Sequence, residues 1–116
     1  MSWENSRFDV ITIWHYNLYI RFEWDEKKRL SNIRKHGIDF ADAPAIFELD
    51  TVTVIDDRFE YGETRYQTLG LLKSHVILVV HTESETVIRI ISARKATKYE
   101  EETYFNQISN WFCPSR

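Results

Sequence analysis

The sequence predicts an α+β fold, in which an antiparallel β-sheet carries two N-terminal helices and one C-terminal helix. Three observations lead there. Four segments rich in β-branched and apolar residues, Thr51–Ile55, Thr64–Leu72, His75–His81 and Val87–Ala93, follow one another through short polar connections. Short connections require antiparallel neighbours, so these strands form a meander. Capped segments with helical spacing lie before and after them. The chain has 116 residues, 43% of them hydrophobic and 15% aromatic, enough for one core and one domain.

The first strand runs from Leu18 to Trp24. Leu18, Ile20, Phe22 and Trp24 alternate with Tyr19, Arg21 and Glu23. Asp25 is an N-cap, and Glu26 sits in the first turn, where the helix dipole favours an acid. Leu30 and Ile33 give a thin apolar stripe, and Gly37 fits the left-handed C′ position, which predicts a helix over Glu26–His36. Asp39 caps a second helix whose Phe40, Ala43 and Phe47 share a face. Pro44 removes a donor there and is expected to kink or shorten it. Asp56–Gly62 reads as a polar loop. Thr97 and Glu100 form a T-x-x-E capping box. In the helix that follows, Phe105, Ile108 and Phe112 share one face, with Tyr104 and Trp111 at its edges. Residues 1–17 fit least well and are expected to be an extension to a single domain over 18–116. Their Val10, Ile11, Ile13 and Trp14 would form either a further strand or part of a loosely attached segment.

Composition narrows the function classes. Charged residues make up 28%, with three Gly and two Pro, so disorder and collagen-like repeats are excluded. No apolar run approaches the ~20 residues of a membrane-spanning helix. The first residues lack the basic-then-apolar order of a secretory signal. Cys113 is the single cysteine, so an internal disulfide is ruled out. A cytoplasmic protein without membrane contact is expected. Net charge is 15 − 18 = −3, yet the cations are clustered. Lys27, Lys28, Arg29, Arg34 and Lys35 fall in one stretch without an acid, and Arg89, Arg94, Lys95 and Lys98 in another. A local basic face binds anions even on a net-negative chain.

A series of short motifs, in order and at matching spacing, resembles the BrnT family of bacterial type II toxins. They are Phe22-Glu-Trp-Asp25, Asn32-Ile-Arg-Lys-His-Gly37, Phe40 with Ala43 and Ile46-Phe47, Asp56-Asp57, Glu63-Thr-Arg65, Gly70, Val76–Val80 with Thr82, and Ile88-Arg-Ile-Ile-Ser-Ala-Arg-Lys-Ala96 followed by Tyr104. The resemblance runs from about Arg21 to Tyr104. It implies a RelE-like ribonuclease fold and an endoribonuclease that arrests translation. It further implies a BrnA-like antitoxin with a ribbon-helix-helix domain, through which the complex reaches operator DNA.

RNA cleavage without a metal needs a base for the 2′-hydroxyl proton, cations for the charge gathering on the phosphate, and an acid for the departing 5′-oxygen. RNA supplies its own nucleophile, so no activated Ser or Cys is required; no cofactor is expected. Arg94, between a strand and a capped helix, either grips phosphate through two parallel hydrogen bonds or pairs with an acid such as Glu101 or Glu102. The resemblance favours the first. His36 either titrates as acid or base or simply complements the dipole at the end of its helix. Lys35 beside it is a phosphate-contact candidate. Lys95, adjacent to Arg94, points the other way if the strand continues. Glu63 and Arg65 form either a base with its phosphate clamp or a surface ion pair of little energy. The Tyr104 hydroxyl either orients a phosphate or leaves the ring to the core. Asp56-Asp57 makes a poor magnesium site, because neighbours on a strand face opposite ways, and a loop or capping role is expected. His15, His75 and His81 carry no catalytic context, and the histidines lack metal-ligand spacing. Trp3, Trp14, Trp24 and Trp111 are not interleaved with the cations and read as core or partner surface. The rival reading is a non-catalytic co-repressor or ribosome-binding module.

Overall fold

The computed structural model describes residues 20–58, 60 and 62–112, with side chains through Ser109. The proposed extension 1–17, and with it Leu18 and Tyr19, lies outside the described residues. The element order is β1 (Arg21–Trp24), α1 (Glu26–His36), a 3₁₀ helix (Phe40–Glu48), β2 (Thr51–Asp56), β3 (Arg65–Leu72), β4 (His75–Glu83), β5 (Val87–Lys95) and α2 (Lys98–Phe112). The strands form one sheet in the order β1-β5-β4-β3-β2. The meander from β2 to β5 is antiparallel throughout. The first strand overturns the all-antiparallel expectation: β1 pairs parallel to β5, Phe22 opposite Ile88 and Trp24 opposite Ile90. Period two in a sequence fixes faces, not the direction of the partner.

Local chemistry explains the elements. The Asp25 carboxylate accepts from the backbone of Lys27 at 2.8 Å and Lys28 at 3.4 Å. Gly37 takes φ 73°, where a Cβ would be strained, and its N–H bonds the Ile33 carbonyl at 2.8 Å. Leu30, expected inside, is exposed, and the buried residue of α1 is Asn32. The second helix is 3₁₀ rather than α. Pro44 has no N–H to give an i→i−4 bond, and bonds such as Asp42 N–H to Asp39 O span three residues instead. Thr97 and Glu100 cap α2 reciprocally, Thr97 N–H to Oε1 at 2.9 Å and Glu100 N–H to Oγ1 at 3.1 Å. The face of α2 differs from expectation. Tyr104 is buried and Ile108 packs beside it, whereas Phe105 is exposed.

Each face of the sheet has its own core. Phe22, Trp24, Ile77, Val79 and Ile90 meet Ile38, Phe40, Ala43 and Ile46 from the segment spanning the end of α1 and the 3₁₀ helix. Leu69, Val76 and Leu78 meet Tyr104 from α2 on the other face. Trp24 is thereby assigned to the core. Beyond Trp24 the edge of β5 has lost its strand partner, and Asn32 replaces it. Its amide Nδ2 donates to the carbonyls of Ala93 at 2.7 Å and Ile38 at 2.9 Å, and its Oδ1 accepts from Ala93 N–H at 3.2 Å.

Candidate functional site

Register partners share a sheet face, and so do residues two apart on one strand. On the face covered by α2 this produces three successive rows. The first is Val52, Leu69, Leu78 and Arg94, and the second Val54, Gln67, Val80 and Ser92. The third is charged. Asp56 pairs with Arg65, Thr82 with Arg89, and Arg89 with Glu23. Arg65 precedes Tyr66, the partner of His81, so Thr82 stands between the two arginines.

Glu63, just before β3, joins this third row. One of its carboxylate oxygens accepts from Arg65 Nε at 3.3 Å, and the other lies 3.9 Å from Arg89 Nη1. Arg89, Asp56, Glu23 and Thr82 are buried, while Arg65 and Glu63 keep partial solvent contact. Burial lowers the pKa of Arg89 against the pull of Glu63, and the neighbouring Arg65 charge adds to the lowering. Asp56 is gripped by Arg58 through Nε at 2.7 Å and Nη2 at 2.9 Å. It belongs to β2 rather than to the loop, and Asp57 is exposed, so the two acids diverge as expected of strand neighbours.

Arg94 closes the first row beside the start of α2. Its two terminal nitrogens donate to the two oxygens of Glu100 at 2.9 and 3.0 Å. The partner is thus the capping-box acid, not Glu101 or Glu102. These bonds, helped by Thr97, hold the Glu100 carboxyl below the usual carboxylate range. About a third of the Arg94 side chain remains exposed. Lys95 is opposite Ile77, on the other face of the sheet from Arg94, and is exposed. A groove of about 270 Å³ lies between α2 and the sheet, lined by residues of the first two rows, Thr97, Tyr99, Glu100 and Thr103.

Glu63, Arg65 and Arg94 are therefore brought onto one face. Lys35 and His36 end α1, exposed, and their side chains make no hydrogen bond or ion pair among the described residues. The Tyr104 hydroxyl donates to the Asp50 carbonyl at 2.9 Å from a buried ring, and burial raises its pKa. The first basic stretch is thinner than its count, because Arg29 binds Glu26 and Asp39. The second loses Arg89 to the interior. Two polar residues belong to the buried framework, Asn32 and Arg89, the latter counted by the sequence only among the clustered cations. The sequence marks Asn32 only as the opening residue of one of the family motifs. His81 is a buried structural histidine, with Nε2 2.7 Å from Thr68 Oγ1 and the ring stacked on Tyr66. Burial lowers its pKa to about 4. Among the described residues no His, Cys, Asp and Glu group is arranged to hold a metal ion. No helix among them is long and apolar enough to cross a membrane.

A mixed sheet with helices on both faces, carrying a carboxylate between two guanidiniums, defines a small α+β domain with a charged cluster on one sheet face. The family model for BrnT, the ribonuclease toxin of type II toxin–antitoxin systems, matches residues 24–100. The chain belongs to that family: it is a toxin of a type II system with ribonuclease activity, which implies an antitoxin and an RNA substrate. No curated protein matches it.

Proposed function

We propose that the protein cleaves single-stranded RNA through the RNA's own 2′-hydroxyl, without a metal, and thereby arrests translation in the cytoplasm. A BrnA-like ribbon-helix-helix antitoxin neutralises it and carries the complex to operator DNA. The observation that supports the mechanism best is Glu63 between Arg65 and Arg89. The carboxylate is the base that takes the 2′-hydroxyl proton. Arg65 binds the phosphate oxygens on which charge gathers, and Arg94, once released from Glu100, binds the neighbouring phosphate. The 2′-oxygen bonds phosphorus as the bond to the 5′-oxygen breaks. His36 supplies the proton to that leaving oxygen, with Lys35 and Lys95 as outer phosphate contacts. In this reading Tyr104 holds α2 against the β2 end of the sheet rather than touching phosphate.

End analysis of the fragments tests it. The expected products are a 2′,3′-cyclic phosphate or 3′-phosphate and a 5′-hydroxyl, formed equally in EDTA. Glu63→Gln should lower the rate by roughly 10²–10⁴, the usual worth of a general base. Fragments ending in 3′-hydroxyls, or activity lost in EDTA, would overturn the metal-free mechanism.

A further inference from the structure

Resting on that reading, we infer that the groove beside α2 is a subsite for one unpaired nucleobase of the RNA, with Tyr99 as the stacking ring and Gln67 as the group that reads the base edge. The groove is apolar at its base, where Val52, Val54, Leu69 and Leu78 meet. Its volume of about 270 Å³ falls just short of the roughly 300–1,000 Å³ of pockets for drug-sized ligands, which suits a smaller planar group. Tyr99 stands at the rim with 77% of its surface exposed, the most exposed of the large hydrophobic residues described. An exposed aromatic face over an apolar floor is what an unstacked base requires.

Gln67 gives this floor its polarity. Its side chain lines the groove and is half-buried, yet it makes no hydrogen bond among the described residues. A free amide offers both a donor and an acceptor, the combination that pairs with a base edge. The charges around the groove fit the phosphates on either side of such a base. Arg94 ends the row that forms the floor, through Leu78, and Arg65 lies two residues from Gln67 on the same face. Lys98 is exposed next to Tyr99. The groove thus continues directly into the proposed phosphate contacts.

The test compares the full chain with Tyr99→Leu, Tyr99→Phe and Gln67→Leu on a randomised single-stranded RNA pool, reading cut positions and KM. The parent should show a base preference at one position near the cut, and Gln67→Leu should flatten it. Tyr99→Leu should raise KM about tenfold, the effect of one lost stack, with kcat nearly unchanged. Tyr99→Phe, which keeps the ring, should behave as the parent. Parent-like KM and cut profiles in Tyr99→Leu and Gln67→Leu would overturn the subsite. So would parent-like cleavage combined with weakened neutralisation by the antitoxin, which would give the groove to a protein partner. If the parent cuts no RNA, the ribonucleolytic mechanism fails on its own. The subsite is then judged by saturation transfer to the base protons of a 2′-O-methyl dinucleotide. Transfer lost in Tyr99→Leu supports the subsite, and no transfer in the parent overturns it.

Discussion

At Arg94 two demands meet on one guanidinium. Its fork is filled by Glu100, which also accepts the backbone N–H of Thr97, so the ion pair and the helix cap share a carboxylate. Phosphate binding must displace that carboxylate. Glu100→Gln separates the two roles, because glutamine serves the capping box as well as glutamate does but leaves Arg94 without a counter-charge. Glu100→Gln should therefore fold with a similar melting temperature and bind RNA at least as tightly as the parent. Arg94→Ala should lose about 10²–10³ in cleavage rate. Weaker RNA binding in Glu100→Gln, or parent-like cleavage in Arg94→Ala, would leave Arg94 as a structural ion pair. His81 makes a different kind of prediction. The unfolded chain takes a proton near 6.5, while the folded chain refuses it down to about 4. Stability is thus unpenalised above 6.5 and falls as pH drops from there towards 4, by about 3 kcal/mol for a shift of that size. Glu83, 3.5 Å from Nδ1, offsets part of this once the imidazolium forms. His81→Asn should be less stable at neutral pH and lack this slope. Denaturant melts across the pH range decide, and parallel curves for the two proteins would sink the assignment.

Gly70 shows how one element constrains another. It lies mid-strand in β3, where alanine ordinarily stabilises by about 0.5–1 kcal/mol through backbone entropy. Here the 3₁₀ helix comes so close that a Cβ on Gly70 would sit 3.0 Å from Ile46 Cβ and 3.2 Å from its Cδ1. Ile46 is fully buried and Cβ is not a mobile end, so overpacking of roughly 1–3 kcal/mol outweighs the entropy. Gly70→Ala should lower the melting temperature by several degrees, and Gly70→Val by more. A rise would mean that the 3₁₀ helix yields. That contact was invisible in the sequence, although the elements themselves were legible. Asp25, Gly37 and the T-x-x-E box act within a few residues, and strand alternation needs no partner. What escaped was set at a distance. The direction of β1, the choice of Asn32 over Leu30 as the buried residue of α1, and Tyr104 rather than Phe105 on the inner face of α2 all depend on which surface the element meets. The candidate site suffers the same limit. Arg89 and Arg94 are five residues apart, so strict alternation puts them on opposite faces. An irregularity at Val80/His81, which sets Ser92 opposite Val80 and Ile90 opposite His81, inserts one residue and brings both to the α2 face.

Across the whole molecule, charge sets how RNA is held. The chain is net −3, with 15 Lys and Arg against 18 acids, so no long-range field draws a polyanion to it. Several cations are already engaged: Arg29 with Glu26 and Asp39, Arg58 with Asp56, Arg94 with Glu100. Arg89 is buried. If Arg65 and Arg94 alone neutralise phosphates, log K should fall against log salt with a slope of about −1.4, at about −0.7 per phosphate on a single strand, and of about −2.8 once Lys35 and Lys95 also take one each. Anisotropy with a 2′-O-methyl oligonucleotide, which binds but lacks the nucleophile, measures that slope directly. Arg94→Ala should reduce it by about 0.7. A slope steeper than about −3 would require more than about four phosphate contacts. The exposed Lys27, Lys28 and Arg34, in line with Lys35 on α1, are a cluster that could supply them. In that case Lys35→Glu would flatten the slope while Arg94→Ala left it unchanged, and the RNA path would lie along α1 rather than over the charged rows of the sheet.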